Sequence, residues 1–213
     1  MLVKEPLSIV TGIINKGGAP SRDDRRLAVE AQGGDERAFA DLVKRHSGGL
    51  HRAVARILND DAEGWDVVQM AFLKAWQQLD RYDPRWSFAT WVYRIGTNVA
   101  IDLIRSRKSR ERTHQAGMEH RLRLVGDSVP TSHAAEEGDV SNVISLVLPV
   151  LSPQQRAAFV LREIEDMDTS EVAEVLGCTS TTVRNHIFQA RKALRLEIEK
   201  RFPEYLPSSR RKV

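Results

Sequence analysis

One cysteine, Cys178, stands in 213 residues. That excludes an internal disulfide framework and a thiol-rich metal site. Nothing in the surrounding turn is a clear thiolate stabiliser, so a small packed thiol is favoured over a redox switch. Long apolar runs are missing too. None approaches the roughly 18 residues a membrane helix needs, and the stretch from Leu2 to Ile14 is broken by Lys4, Glu5, Pro6 and Gly12, a poor signal peptide. A protein of the reducing cytoplasm, with no membrane insertion, is expected. There is no Gly-rich phosphate loop, no Gly-x-Ser-x-Gly and no His-Glu-x-x-His, and no two of the six histidines lie four apart on a helical stretch, as ligands on one face would. No enzyme, metal or cofactor is therefore expected.

Charge of one sign is also scarce: 32 Lys+Arg against 29 Asp+Glu, net +3. Its distribution says more than its sum. Residues 105–112 carry five basic side chains against Glu111, residues 127–139 hold Asp127, Glu136, Glu137 and Asp139 with no Lys or Arg, and 184–201 is basic again. Basic, acidic, basic suggests two positive modules joined by an acidic connector.

No stretch alternates with period two, so no strands are expected. Ala38, Phe39, Leu42, Val43, Leu50, Ala53, Val54, Ile57 and Leu58 follow three-and-four spacing, with Gly48-Gly49 as a possible break. A second helix runs from about Ala62 to Leu79 and is stopped by Tyr82-Asp83-Pro84. A third starts near Ser87, with Phe88, Val92, Ile95, Val99 and Leu103 on one face. Helical patterning dissolves after residue 107, which is too long a gap to sit inside one compact domain. The expected layout is an all-α chain of two small domains. A flexible extension (1–21) precedes a helical domain (22–107), and a flexible linker (108–141) leads to a helix-turn-helix domain (142–201) and a tail (202–213).

The second domain is the better punctuated. Ser152-Pro153-Gln154-Gln155 reads as a capping box with proline at the first helical position, and Asp168-Thr169-Ser170-Glu171 repeats the logic before Val172, Ala173, Val175 and Leu176. Gly177 fits a left-handed stop, and Thr179 caps a last helix with Val183, Ile187, Ala190 and Leu194 inward. Together these make a helix-turn-helix.

Outward on that last helix lie Arg184, Asn185, Phe188, Gln189 and Lys192. Arg pairs with guanine, Asn or Gln with adenine, and Lys suits phosphate. Helix N-termini in this motif enter the major groove, which favours Arg184 and Asn185 as readers, with Thr181 and Thr182 near the backbone phosphates. The third helix of the first domain exposes Tyr93, Arg94, Thr97, Asn98, Asp102 and Arg105, and the loop before it interleaves Tyr82, Trp86 and Phe88 with Arg81 and Arg85. Aromatic faces beside Arg and Asn suit unstacked bases of single-stranded DNA. Phe88 and Trp91 are read as core; for Tyr82 both core and stacking stay open.

The segments DVVQMAFLKAW, FATWVYRIGTNVAIDLIRSRKSR and LSPQQRAAFVLREIEDMDTSEVAEVLGCTSTTVRNHIFQARKALR resemble an extracytoplasmic-function (ECF) sigma factor from about Arg26 to Leu196. The resemblance implies two helical domains that bring core RNA polymerase to promoter DNA, and an anti-sigma factor as regulator. It places Asp66 and Gln69 against the clamp helices of the polymerase's largest subunit. Tyr82 to Phe88, with Arg85 and Trp86, are put at a flipped −10 base and Asn98 in the lining of that site. Arg184, Asn185, Phe188 and Gln189 fall at the −35 element. Two positions depart from the family pattern: Met70 stands where Glu is usual, and Thr181 where Gly is common. Two rivals remain on the residues alone, a dimeric helix-turn-helix regulator acting without polymerase and a module that meets only protein.

Overall fold

The computed structural model describes residues 22–118 and 140–205. Every regular element among them is helical: α1 (Arg22–Gln32), α2 (Glu36–Leu58), α3 (Asp61–Gln77), α4 (Phe88–Met118), α5 (Val140–Val147), α6 (Pro153–Phe159), α7 (Thr169–Leu176) and α8 (Ser180–Arg201). α1, absent from the expectation, is short and rich in Arg and Asp, and lies against α2.

Local chemistry sets the helix ends. The Asp35 carboxylate accepts from the amides of Arg37 (2.9 Å) and Ala38 (3.3 Å), and α2 stops at Asn59 with φ 60°. Asp60 starts α3 by accepting from the Glu63 amide at 2.9 Å. The anticipated break at Gly48-Gly49 does not occur; α2 runs straight through. Gly49 serves another end, because a Cβ there would sit 2.6 Å from the Tyr93 hydroxyl of α4. Leu42, Leu50, Val54, Ile57, Val67, Phe88 and Val92 are buried between α2, α3 and α4. Each such side chain contributes about 1.5–3 kcal/mol relative to exposure.

Helix α4 continues to Met118, past the expected domain end at residue 107. The basic run is thus part of a helix. Its Arg and Lys side chains are good helix formers, which a search for apolar periodicity does not count. At the other end of the expected linker, Val140 and Ser141 already belong to α5. The rest of that linker (119–139), the extension 1–21 and the tail from 206 onward lie outside the described residues.

In the second domain the punctuation reads as expected. Ser152 and Gln155 exchange both bonds of a capping box, at 3.1 and 3.3 Å. Glu171 accepts from the Asp168 amide at 2.9 Å, Gly177 takes φ 63°, and Thr179 accepts from the Thr182 amide at 3.1 Å. Val183, Ile187, Ala190 and Leu194 are buried. One feature was not legible: α6 widens into a π turn over Val160–Ile164, where the Glu165 amide donates to the Val160 carbonyl at 2.9 Å. The two domains also touch, α2 and α4 packing on α6, the π turn and α7.

Candidate nucleic-acid interface

Three surfaces carry the residues singled out. On α8, Thr181, Arg184, Asn185, Phe188, Gln189 and Lys192 are all exposed and recur at three-and-four spacing, so they share the face opposite the buried positions. Phe188 is 65% exposed, a large apolar ring held in water beside Arg184, Asn185 and Gln189. Thr182 is different. Half-buried, it is engaged with Thr179, amide to hydroxyl at 3.1 Å and hydroxyl to hydroxyl at 2.9 Å, so it belongs to the cap. Helix α8 is braced from behind by Arg191, which pairs with Glu163 of the π turn at 2.6 Å. The Cys178 thiol, in the turn, is half-buried and its pKa is pushed up by burial, away from a reactive thiolate.

The second surface is the α3–α4 loop and the outer face of α4. Trp86 is 56% exposed, while Tyr82 is only 4% exposed. The Tyr82 ring meets Phe88 edge-on at 5.7 Å and Trp91 at 5.0 Å, and its hydroxyl donates to the Trp86 carbonyl at 2.7 Å. Burial raises its pKa to about 12. Tyr82 is therefore core, and the stacking alternative is corrected. Its ring is packed against Phe88 and Trp91, and its hydroxyl holds the backbone that presents Trp86. Phe88 and Trp91 pack inward as expected.

The loop is fixed by residues whose role the sequence did not disclose. Gln32 donates from one amide nitrogen to the carbonyls of Leu79 (2.8 Å) and Tyr82 (2.7 Å). Partners 47 and 50 residues apart leave no local signal. Asp83 clasps Arg85 at 2.6 Å, and that guanidinium holds the carboxyl below its ordinary range. Arg94 and Asn98 are exposed one helical turn apart on α4, and Arg105 is exposed near Asp102 at 3.7 Å. Thr97, expected on the polar face, is instead fully buried.

On α3, Asp66 and Gln69 are exposed as expected. Around them lie Trp65, Met70, Leu73 and Trp76, all large apolar side chains in water. Trp65 is stacked on His51 at 4.0 Å, and an open groove is lined by Glu36, Phe39, Phe72, Leu73 and Trp76. An exposed apolar face of this kind is a candidate protein-contact surface. The sequence singles out Asp66, Gln69 and Met70 on this face; Trp65, Leu73 and Trp76 go unnamed there, because apolar residues at such helical spacing mimic a buried stripe.

Among the described residues no group of three or more His, Cys, Asp or Glu is placed to hold a metal ion, and no helix is long and apolar enough to cross a membrane.

Comparison with known proteins covers both domains. The sigma-70 region 2 family matches residues 42–110 and the sigma-70 region 4 family residues 141–194. The chain is 31% identical over 179 residues to the ECF RNA polymerase sigma factor SigW of Bacillus subtilis, covering 82% of this chain and 96% of that one. It is 35% identical over 180 residues to the RNA polymerase sigma factor CnrH of Cupriavidus metallidurans, covering 82% and 94%. The solved structure of CnrH with the cytosolic domain of CnrY superposes with a TM-score of 0.62 at 30% identity, over 84% of this chain and 99% of that one. A region 2 domain has no place in a stand-alone dimeric helix-turn-helix regulator, and that rival is not favoured. With both sigma regions in order along one chain, and relatives matched over nearly their whole length, the protein belongs to the extracytoplasmic-function sigma factors, alternative sigma subunits that direct RNA polymerase to promoters.

Proposed function

We propose a division of labour between two surfaces of this sigma factor. Helix α8 reads duplex −35 DNA in the major groove, through Arg184, Asn185 and Gln189 to base edges, Phe188 to apolar base atoms, and Thr181 and Lys192 to phosphates. Thr182 acts through the cap that presents the helix N-terminus. In the first domain Trp86 offers a stacking face to an unpaired −10 base, with Arg85, Arg94, Asn98 and Arg105 supplying phosphate and base contacts. Opening is favoured because unpaired bases gain a protein surface that the duplex lacks, which offsets a few kcal/mol of unstacking per base. The observation that carries this reading is the contrast at Trp86: a large ring in water, on a loop pinned by Gln32 and by the buried Tyr82.

Asp66 and Gln69, inside the apolar face of α3, are assigned to the polymerase clamp helices. The chain performs no catalysis of its own on this reading; it binds and positions DNA for the polymerase, in the cytoplasm where the polymerase works. An anti-sigma factor is the expected regulator, supported by CnrH, whose structure carries the cytosolic domain of CnrY. In vitro transcription with core polymerase on a randomised promoter library tests the assignment. The wild-type chain should enrich paired −35 and −10 motifs. An Arg184→Ala chain should lose preference at one −35 position only, whereas equal losses across all promoter variants would refute base readout by Arg184.

A further inference from the structure

Helix α1 lies lengthwise against the α3–α4 loop. At its C-terminal end Gln32 donates to the carbonyls of Leu79 (2.8 Å) and Tyr82 (2.7 Å), and the helix packs on the short turn Leu79–Arg81. Arg25 stands seven residues earlier, two turns along the same face. Its charge is felt at the other end of Tyr82: burial raises the pKa of the hydroxyl, and Arg25 opposes that rise. Arg25 also adds to the stronger effect of Arg85 in holding the Asp83 carboxyl low. The Tyr82 hydroxyl in turn donates to the Trp86 carbonyl at 2.7 Å. One helix thus brackets Tyr82 from carbonyl to hydroxyl, and its cation stands beside the stretch that presents Trp86.

Arg25 is exposed and has no ion pair among the described residues. Every acid of α1 is engaged by another base. Asp23 pairs with Arg26 at 3.1 Å and with Arg45, Asp24 with Arg45 at 2.8 Å and His46 at 2.9 Å, and Glu30 with Arg26 at 3.3 Å. In the loop Asp83 is held by Arg85, through the backbone amide at 2.9 Å and the guanidinium at 2.6 Å. Arg85 therefore spends part of its charge inside the loop, while Arg25 keeps its own for whatever approaches from solvent. Val29, one turn on from Arg25, is 50% exposed, so this stripe offers a cation and an apolar patch where the rest of the helix is laced with ion pairs. A free cation beside an exposed indole suits a single strand: the ring takes a base, and the guanidinium takes a phosphate next to it.

We propose that α1 forms a further wall of the −10 site, with Arg25 holding a backbone phosphate of the unpaired strand whose base stacks on Trp86. This extends the −10 assignment above and rests on it. The test uses the full-length chain assembled with core polymerase and a fluorescent single-stranded oligonucleotide carrying the −10 motif, with binding measured across a range of salt concentrations. Each phosphate contact adds about 0.7 to the slope of log affinity against log salt for a single strand. Arg25→Gln should lower the slope by that amount and weaken binding several-fold at low salt, equally for the motif and for a scrambled strand, because a phosphate contact carries no sequence information. Arg25→Lys should keep the slope, and so should Lys200→Gln, which removes the same charge from the far end of α8. Trp86→Ala should weaken binding with the slope unchanged. A parent slope in Arg25→Gln overturns the proposal. If that parent slope comes with a lower urea unfolding midpoint, Arg25 is a brace for Asp83; if it comes with weaker assembly on core polymerase, α1 meets protein instead of DNA. Parent-like binding by Trp86→Ala beside a slope loss in Arg25→Gln would fail the stacking assignment and leave the phosphate contact standing.

Discussion

The two surfaces we assign to DNA are made in opposite ways. The α8 face is a regular helix whose exposed residues project from one stripe because the other stripe is buried, so position in the repeat decides what meets solvent. The α3–α4 loop has no repeat. There the exposed ring, Trp86, and the buried ring, Tyr82, lie four residues apart, and contacts from remote Gln32 and from Phe88 and Trp91 at the start of α4 decide which is which. A helix can be read from its own sequence, but a loop has to be read from what packs beneath it.

Substituting Tyr82 tests that comparison hardest. Tyr82→Ala should cost about 3–5 kcal/mol of stability, the range for emptying an aromatic core site, measured by urea unfolding. Tyr82→Phe should cost only about 1 kcal/mol, the worth of one hydrogen bond, and leave promoter melting intact. A stable Tyr82→Ala chain defective only in melting would return Tyr82 to the stacking surface. Next in size, Trp86→Ala should weaken binding to single-stranded −10 DNA by about 1–3 kcal/mol while leaving stability within about 0.5 kcal/mol. Loss of stability instead would make Trp86 a packing residue. On the helical side, Thr179→Ala should remove the α8 cap at a cost of about 1 kcal/mol, read as weaker −35 binding and a lower unfolding midpoint together.

The smallest effect concerns acid. His46, 2.9 Å from Asp24 and partly buried, has its pKa lowered from 6.5, mainly by burial, which outweighs the raising effect of Asp24. The unfolded chain therefore binds a proton more readily than the folded one. Stability from this site is present above the unfolded value, near 6.5, and is lost as pH falls from there through the lower folded value. The unfolding midpoint should drop between neutral pH and mild acid, and His46→Gln should flatten part of that slope. An unchanged slope would mean that other groups cause it.

Much of the fold was legible because helices announce themselves twice, by apolar spacing and by capping residues. Ser152, Asp168, Gly177 and Thr179 all stand where their chemistry placed them. Three misreadings share a physical cause. Gly48-Gly49 looked like a break because its close partner, Tyr93, is remote in sequence. The helical stretch 108–118 looked like linker because its helicity lies in Arg, Lys and Glu and not in an apolar stripe. The domain contact was invisible because Arg156 and Glu165 read as surface charges until α2 lies over them. Within the candidate site the exposed α8 stripe follows the helical spacing at every named position but Thr182, which the cap takes, while the apolar α3 face and the Gln32 brace emerge only from packing.

Permanganate footprinting of complexes formed with core polymerase on one promoter tests the central claim most directly, with wild-type, Trp86→Ala and Arg184→Ala chains side by side and nuclease protection of the −35 region read in parallel. Trp86→Ala should lose thymine reactivity around −10 yet keep −35 protection, and Arg184→Ala should lose −35 protection first. Full −10 reactivity with Trp86→Ala, or loss of both signals together in each variant, would contradict it.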